Sequence, residues 1–178
     1  MMDYPRDYLM YTAIFGFFSF CWFGWAQEAP QEGWRLGLGI ASVIALIFGI
    51  LGGVLSYFHW HDASILNNKG DFKWYLVFFI SEMILAVIGA IFLLLMGKSS
   101  WVSIWVSFIV AIHFVGLKFV FNDKSLFLLT SLMILVTISS IPLSHHFKVA
   151  PTAILGIGNG ICLLLFSVLG LVRFLQIQ

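Results

Sequence analysis

The chain has 178 residues, of which 61% are hydrophobic, 17% aromatic and only 10% charged. A soluble domain carries about a quarter of its residues as charged side chains, so this composition excludes an ordinary soluble fold. The net charge of +1 offers no basic surface for nucleic acid. Cys21 and Cys162 lie inside apolar runs without the spacing of a zinc or redox motif, and we expect no metal or cofactor.

Long apolar runs separated by short polar connections are the main pattern of the chain. A helix of about 20 apolar residues spans the roughly 30 Å hydrocarbon core of a bilayer and satisfies its own backbone groups there. Membrane barrel strands instead alternate over about ten residues. The sequence therefore predicts an all-α membrane protein, with a bundle of six transmembrane helices forming a single transmembrane domain over residues 1–178. The predicted helices cover approximately residues 9–25, 34–58, 74–96, 101–121, 126–143 and 152–175.

The first run is expected to be a retained helix, because residues 1–8 contain Asp3, Arg6 and Asp7 rather than the net positive start of a cleaved signal peptide. Lys and Arg are more frequent in cytoplasmic connections. Their distribution predicts that both termini are cytoplasmic. The side shared by the termini has Arg6, Lys69, Lys73, Lys118, Lys124 and Arg173, and the other side has Arg35, Lys98 and Lys148.

Small residues recur at every fourth position through the second predicted helix. They are Gly33, Gly37, Ala41, Ala45, Gly49 and Gly53. Helices in lipid associate through close backbone approach, which small side chains allow. The stripe predicts a packing surface, either of a central helix held by its neighbours or of a seam with a homo-oligomer or membrane protein partner. A surface that slides during transport is the functional alternative.

The third predicted helix contains Glu82, directly after Ser81 in an otherwise apolar run. An ionised carboxylate there costs at least ~2.5–3.5 kcal/mol on insertion scales, so such a group faces the protein interior, finds a partner or stays protonated. A tight connection at residues 97–100 makes the third and fourth helices antiparallel neighbours. Residues equidistant from it lie at similar depth, which places His113 about 3 Å along the axis from the position opposite Glu82. The pair suits cation binding, proton relay or anchoring of a polar substrate, and a structural hydrogen bond is the alternative.

The sixth predicted helix contains Gly156, Gly158 and Gly160 around Asn159. Each glycine weakens a helix by roughly 1 kcal/mol relative to alanine. One interpretation is an unwound segment whose freed carbonyls and Asn159 amide contact a solute or ion. The other is tight helix packing through Gly156 and Gly160, with Asn159 bonded to a neighbouring helix.

The stretch Ala111-Ile-His-Phe-Val-Gly-Leu-Lys-Phe-Val, centred on His113, is followed by a short polar turn and another apolar helix. It resembles a segment of small uncharacterised six-helix bacterial integral membrane proteins. The resemblance implies a multi-pass protein of the bacterial inner (plasma) membrane, and it implies no activity.

Three functions are compatible with these residues. The leading hypothesis is a transporter or channel-like protein for an unknown small solute or ion, proton-coupled through Glu82, with a site drawn from Glu82, His113, Asn159 and Ser81. The second is a non-catalytic accessory or assembly subunit that packs through the small-residue stripe. The third is an intramembrane enzyme acting on lipid, which is least favoured because Glu82 and His113 supply one acid/base pair at most. We therefore assign no catalytic residue. The lipid bilayer is the expected surrounding of the helices.

Overall fold

The computed structural model describes residues 4–177, and long helices account for most of them. The helices are α1 Pro5–Trp25, α2 Arg35–Phe58, α3 Lys69–Leu95, α4 Val102–Phe121, α5 Ser125–Phe147 and α6 Pro151–Gln176. Six helices are long and apolar enough to cross a membrane. The predicted all-helical architecture with six membrane-length helices is therefore confirmed, and it supports a multi-pass membrane protein.

Three helix ends differ from the prediction by four or five residues. Helix α1 begins at Pro5 rather than near residue 9. Helix α3 begins at Lys69 rather than near residue 74, because the Asn68 side chain accepts a hydrogen bond from Gly70 N at 2.9 Å and caps the first turn. Helix α5 continues through Pro142 to Phe147 and ends where Lys148 adopts a left-handed conformation with φ of 55°. These helix ends contain prolines and polar residues, so the length of the apolar run alone does not predict where the helix begins or ends.

Helices α1, α4, α5 and α6 meet in the core of the bundle. The Phe15 ring on α1 lies 5.7 Å from the Phe114 ring on α4 and 6.2 Å from the Phe166 ring on α6, both edge to face. Leu129 and Met133 fill the space from α5 and are fully buried. Helix α2 packs mainly on α1, and α3 packs mainly on α4, so these two helices lie at the periphery.

Helices α1 and α6 approach each other closely along most of their length. Ser19 Oγ donates a hydrogen bond to Gly160 O, and Ser167 Oγ donates one to Thr12 O, both at 2.7 Å. A Cβ atom added at Gly156 would lie 2.5 Å from Trp22 O. Hydroxyl groups and glycines therefore join the two backbones, which is typical of helix association in lipid.

Helix α2 packs mainly on α1 and less on α6, so it is peripheral and not the central helix of one prediction, whereas the alternative of a seam with a partner stays a prediction. Its buried residues are spaced three, four or seven positions apart, as expected for one face of a helix: Leu38, Ser42, Ala45, Gly52 and Ser56. Positions four apart advance about 40° beyond each full turn, so a stripe of that spacing rotates away from any one neighbour.

The small-residue stripe consequently divides between two surfaces. Ala45 is fully buried, Ala41 packs beside it, and a Cβ atom at Gly49 would contact the backbone of α1. Gly33, Gly37 and Gly53 face open space instead. At this level of α2, Gly52 contacts α1, whereas Gly53, the residue of the predicted stripe, faces away from it.

Candidate functional site

The α3–α4 interface is an antiparallel series of contacts that steps away from the connection at residues 97–100. Nearest the connection, Trp105 Nε1 donates a hydrogen bond to Leu85 O at 3.0 Å, and its ring covers Gly89. Farthest from it, the Tyr75 ring lies 6.1 Å from the Phe121 ring. Tyr75 and Phe121 are nearly equidistant from the connection, as expected for antiparallel neighbours, whereas the Trp105 side chain reaches back along α3 to Leu85.

Glu82 and His113 occupy the middle of that series. Glu82 Oε2 lies 3.3 Å from His113 Nδ1, and the two side chains are 13% and 9% exposed. The atoms are within ion-pair distance, but Nδ1 has no hydrogen-bond partner of suitable alignment among residues 4–177. The contact that helix spacing predicted is present, and its function stays a prediction.

Aromatic side chains close the interface on both sides of this pair. The Phe78 ring lies against Gly116, and Trp105 lies against Gly89, so a Cβ atom at either glycine would collide with a ring. Neither the groove on the outer face of α3 nor the cavity beside Asp7 includes Glu82 or His113 in its lining. The Glu82 and His113 side chains are 13% and 9% exposed, so both are largely buried at the α3–α4 interface.

Ser81 lies on a different side of α3 from Glu82. Its side chain is exposed, and its Oγ donates a hydrogen bond to Phe78 O of its own helix at 2.9 Å. Adjacent positions on an α-helix differ by about 100°, so a direct neighbour in sequence faces another way. The structure does not bring Ser81 into the Glu82–His113 contact.

Asn159 belongs to a separate polar cluster between α4, α5 and α6. Asn159 Nδ2 donates to Ser107 Oγ at 2.8 Å, Ser107 Oγ lies 2.6 Å from Thr137 Oγ1, and Thr137 Oγ1 donates to Met133 O at 2.7 Å. Each hydroxyl has one proton, so Ser107 must donate to Thr137. The bonds therefore run in one direction from Asn159 to the Met133 carbonyl.

The two clusters lie on different faces of α4. Ser107 and His113 are six positions apart, which corresponds to a rotation of about 240° around the helix. Ser107 is fully buried toward α5 and α6, whereas His113 faces α3. Asn159 and Glu82, grouped as one candidate site from the sequence, are therefore not brought together.

The unwound interpretation of the glycine segment is wrong, because α6 is a continuous helix from Pro151 to Gln176. A Cβ atom at Gly156 or Gly160 would collide with Trp22, Ala26 or Phe23 of the α1 segment, and one at Gly158 with Val136 of α5. These glycines are packing residues, and the Asn159 amide is bonded to Ser107 as the packing alternative expected.

Two buried acidic residues at the end of the bundle were not identified from the sequence. Asp7 accepts hydrogen bonds from Ser64 Oγ at 2.5 Å and from Ile65 N at 2.8 Å. Asp123 Oδ2 lies 2.6 Å from Arg173 Nη1. An aspartate two residues before a helix signals a local cap, but no local pattern identifies partners 50 or more positions away.

No known protein family, curated protein or solved structure matches this chain. The resemblance of the segment around His113 to small bacterial membrane proteins therefore stays a prediction. Within residues 4–177, no group of three or more His, Cys, Asp or Glu side chains is arranged to hold a metal ion. The geometry of the clusters described above is the basis for a functional proposal.

Proposed function

We propose that this chain is a multi-pass transporter of the bacterial inner membrane, with both termini in the cytoplasm, that moves a small solute or ion with proton exchange at Glu82. The observation that supports the proposal is the 3.3 Å approach of Glu82 Oε2 to His113 Nδ1 between two membrane-length helices. An ionisable residue inside a membrane-spanning segment is costly, and such residues commonly serve ion or proton movement.

A carboxyl group and an imidazole in contact can share one proton without a change in their combined charge. The pair is neutral overall both as carboxylic acid with imidazole and as carboxylate with imidazolium. Only uptake of a second proton or release of the shared one changes the net charge of the interface. Such a change is expensive in a low-dielectric surrounding, so it favours simultaneous binding or release of a charged or polar solute.

Glu82 is only 13% exposed, so full access of a solute to its carboxyl group involves movement of α3. Helix α3 is suited to move because none of its residues is fully buried and it packs mainly on α4. A shift of α3 relative to the rest of the bundle would expose Glu82 first on one side and then on the other. This is the general form of alternating access, in which one packed unit moves against another.

The test combines chemical labelling with transport. A hydrophobic carbodiimide, which reacts with protonated carboxyls in apolar surroundings, is applied to the protein in liposomes over a pH series, and adducts are mapped by mass spectrometry. We expect labelling at Glu82 whose pH profile shifts in His113→Gln. Ser81→Ala is the matched control, since Ser81 faces away from the pair, and it should leave the profile unchanged.

Solute-driven pH changes inside the same liposomes then test transport directly. A panel of small solutes and ions should include at least one that changes the internal pH for the unaltered chain and for Ser81→Ala but not for Glu82→Gln. If Glu82 is unlabelled at every pH in folded protein, or if Glu82→Gln keeps the solute-driven pH change, proton coupling through this residue is refuted.

The accessory-subunit alternative is favoured by one observation, which is that Gly37 and Gly53 lie on α2 with open space beside them. A second helix in lipid approaches closely at such positions. Replacing Ala45 is unsuitable as a test because Ala45 is fully buried within the chain. Gly53→Leu should abolish a cross-linked complex if this face is a seam, and an unchanged oligomer would contradict the alternative.

A further inference from the structure

A cavity of about 200 Å³ lies at the end of the bundle where α1 begins. It is bounded by the first two turns of α1, by Ile65 of the connection between α2 and α3, and by the turn between α4 and α5. Aromatic side chains and two acidic side chains form most of its lining: Tyr4, Tyr8, Tyr11, Phe121, Asp7 and Asp123. Asn122 is exposed at this turn, so the cavity is reached from the membrane surface.

Of the two acidic side chains that line this cavity, only Asp123 has a hydrogen-bonded cationic partner in the described part of the chain. Asp123 is paired with Arg173, whereas Asp7 accepts hydrogen bonds from the neutral Ser64 hydroxyl and Ile65 amide. The ion pairs formed within residues 4–177 do not include Asp7. The charge of Arg6, its chain neighbour, acts on Asp7 through space, while the Arg6 guanidinium donates its hydrogen bonds to Trp60 O and Asn67 Oδ1.

Asp7 is only 6% exposed, so its carboxylate is largely removed from water. Hydrogen bonds from neutral groups stabilise a buried carboxylate in part, and a cation beside it stabilises it further. A buried carboxyl group with no cation in direct contact among residues 4–177 therefore favours a positively charged ligand over an anion.

The aromatic walls favour the same class of ligand. Tyr11 and Phe121 hold each other in place, with ring centroids 5.3 Å apart in an edge-to-face arrangement. The Arg173 guanidinium already lies 5.7 Å from the centroid of the Tyr8 ring. Cations within about 6 Å of an aromatic ring are attracted by its electron density, and quaternary ammonium groups are recognised by such walls.

We propose that this cavity binds a small organic ammonium ion, with Asp7 as its charge partner and the Tyr4, Tyr11 and Phe121 rings as its walls. The volume of about 200 Å³ lies below the roughly 300 Å³ at which pockets for drug-sized ligands begin, so the ligand is a compact group. A free alkylammonium ion and the ammonium head of a membrane lipid share this chemistry. The site is separate from Glu82 and His113 and does not depend on the transport proposal.

The first test needs no variant. Choline and its neutral isostere 3,3-dimethylbutan-1-ol are titrated by calorimetry into the purified chain in detergent, with sodium chloride at matched ionic strength. Choline should bind saturably and raise the unfolding temperature, because a ligand that binds only the folded state stabilises it. Equal behaviour of choline and the neutral alcohol would overturn the proposal, as would no binding by choline.

Variants then locate the site. Asp7→Asn should weaken choline binding at least about tenfold, whereas Glu32→Gln, an exposed acid between α1 and α2, should not change it. Since Asp7 also holds Ser64 and Ile65 in place, the asparagine variant needs a companion. Tyr4→Leu keeps the apolar volume but removes one ring, and a loss of about two- to fivefold is expected from one exposed cation–π contact. Unchanged choline affinity in folded Asp7→Asn or in Tyr4→Leu would refute the site.

Nanodiscs distinguish the two sources of the ammonium group. If a lipid head occupies the cavity, choline binding is lost in phosphatidylcholine discs and retained in phosphatidylglycerol discs. If the ligand is a free amine, choline binds equally in both. Either result supports an ammonium site, whereas loss of choline binding in both lipids would limit it to detergent and overturn the proposal.

Discussion

The contact between α1 and α2 gives the sharpest test of the packing argument, through alanine substitutions at two adjacent glycines. A Cβ atom at Gly52 would lie 2.7 Å from Thr12 C and 2.8 Å from Ala13 Cα, and it would also meet Ala13 N. These are backbone atoms, which cannot rotate away as side chains do. A Cβ atom at Gly53 would have nothing within 4 Å.

The magnitude follows from these distances. Carbon atoms in good contact are about 3.5–4.0 Å apart, so Gly52→Ala must push the helices apart by roughly 1 Å near Thr12. Overpacking of this kind costs about 1–3 kcal/mol, and the separated helices lose further dispersion contacts. Gly53→Ala only exchanges a glycine for a better helix former, so it should be neutral or stabilise by at most about 1 kcal/mol.

The assay is reversible unfolding in mixed micelles, with the fraction of dodecyl sulfate increased stepwise and helix content followed by circular dichroism. We expect the midpoint to fall in Gly52→Ala and to stay constant or rise in Gly53→Ala. Equal effects of the two substitutions would show that the face of α2 toward α1 is wrongly assigned. A larger loss in Gly53→Ala would show that the face beside Gly53 is covered by another molecule.

The same assay serves two further predictions. Ser107→Ala removes the acceptor of Asn159 Nδ2 inside the bundle and should lower the free energy of unfolding by about 1–2 kcal/mol, between the cost of a stranded buried donor and the smaller average for membrane proteins. The control is Ser131→Ala, which should cost little because the exposed Ser131 hydroxyl bonds only Phe127 O of its own helix. Equal losses in the two variants would contradict the bond network. Arg173→Gln leaves Asp123 without its cation and should lower the free energy of unfolding by about 1–3 kcal/mol, less than for a fully buried pair because the Arg173 side chain is 22% exposed. The control is Lys124→Gln, at an exposed position next to Asp123, which should be near neutral. A neutral Arg173→Gln would show that the ion pair contributes nothing to stability.

The number of helices and their approximate positions were predictable from the length of the apolar segments, because the hydrocarbon core of a bilayer holds no water to bond to the backbone. Membrane-length apolar segments have no other way to satisfy their backbone groups. The rotation of each helix was not predictable from a single pattern. The stripe from Gly33 to Gly53 held only small residues, but nothing in it distinguished the side facing α1, where Gly52 lies, from the side with open space.

Predictability of the polar contacts depended on how far apart the partners are in the chain. Glu82 and His113 flank one tight connection, so their depth followed from counting residues along two antiparallel helices. Asn159 and Ser107 are 52 positions apart, and Arg173 and Asp123 are 50 apart. Their contacts depend on how helices that are not consecutive pack together, which a single sequence does not specify.

Helix α4 connects the fixed part of the bundle to the part suited to move. On one face, Ser107 joins α4 to α5 and α6 through Thr137 and Asn159, all fully or nearly fully buried. On the other face, His113 and Trp105 contact α3 through one ion-pair approach and one hydrogen bond. The movement proposed for α3 would break the contacts on this second face and leave the network around Ser107 intact. Loss of carbodiimide labelling at Glu82 when α3 and α4 are cross-linked near Leu85 and Trp105, and retention when α4 and α5 are cross-linked, would show that this movement is what exposes the carboxyl group.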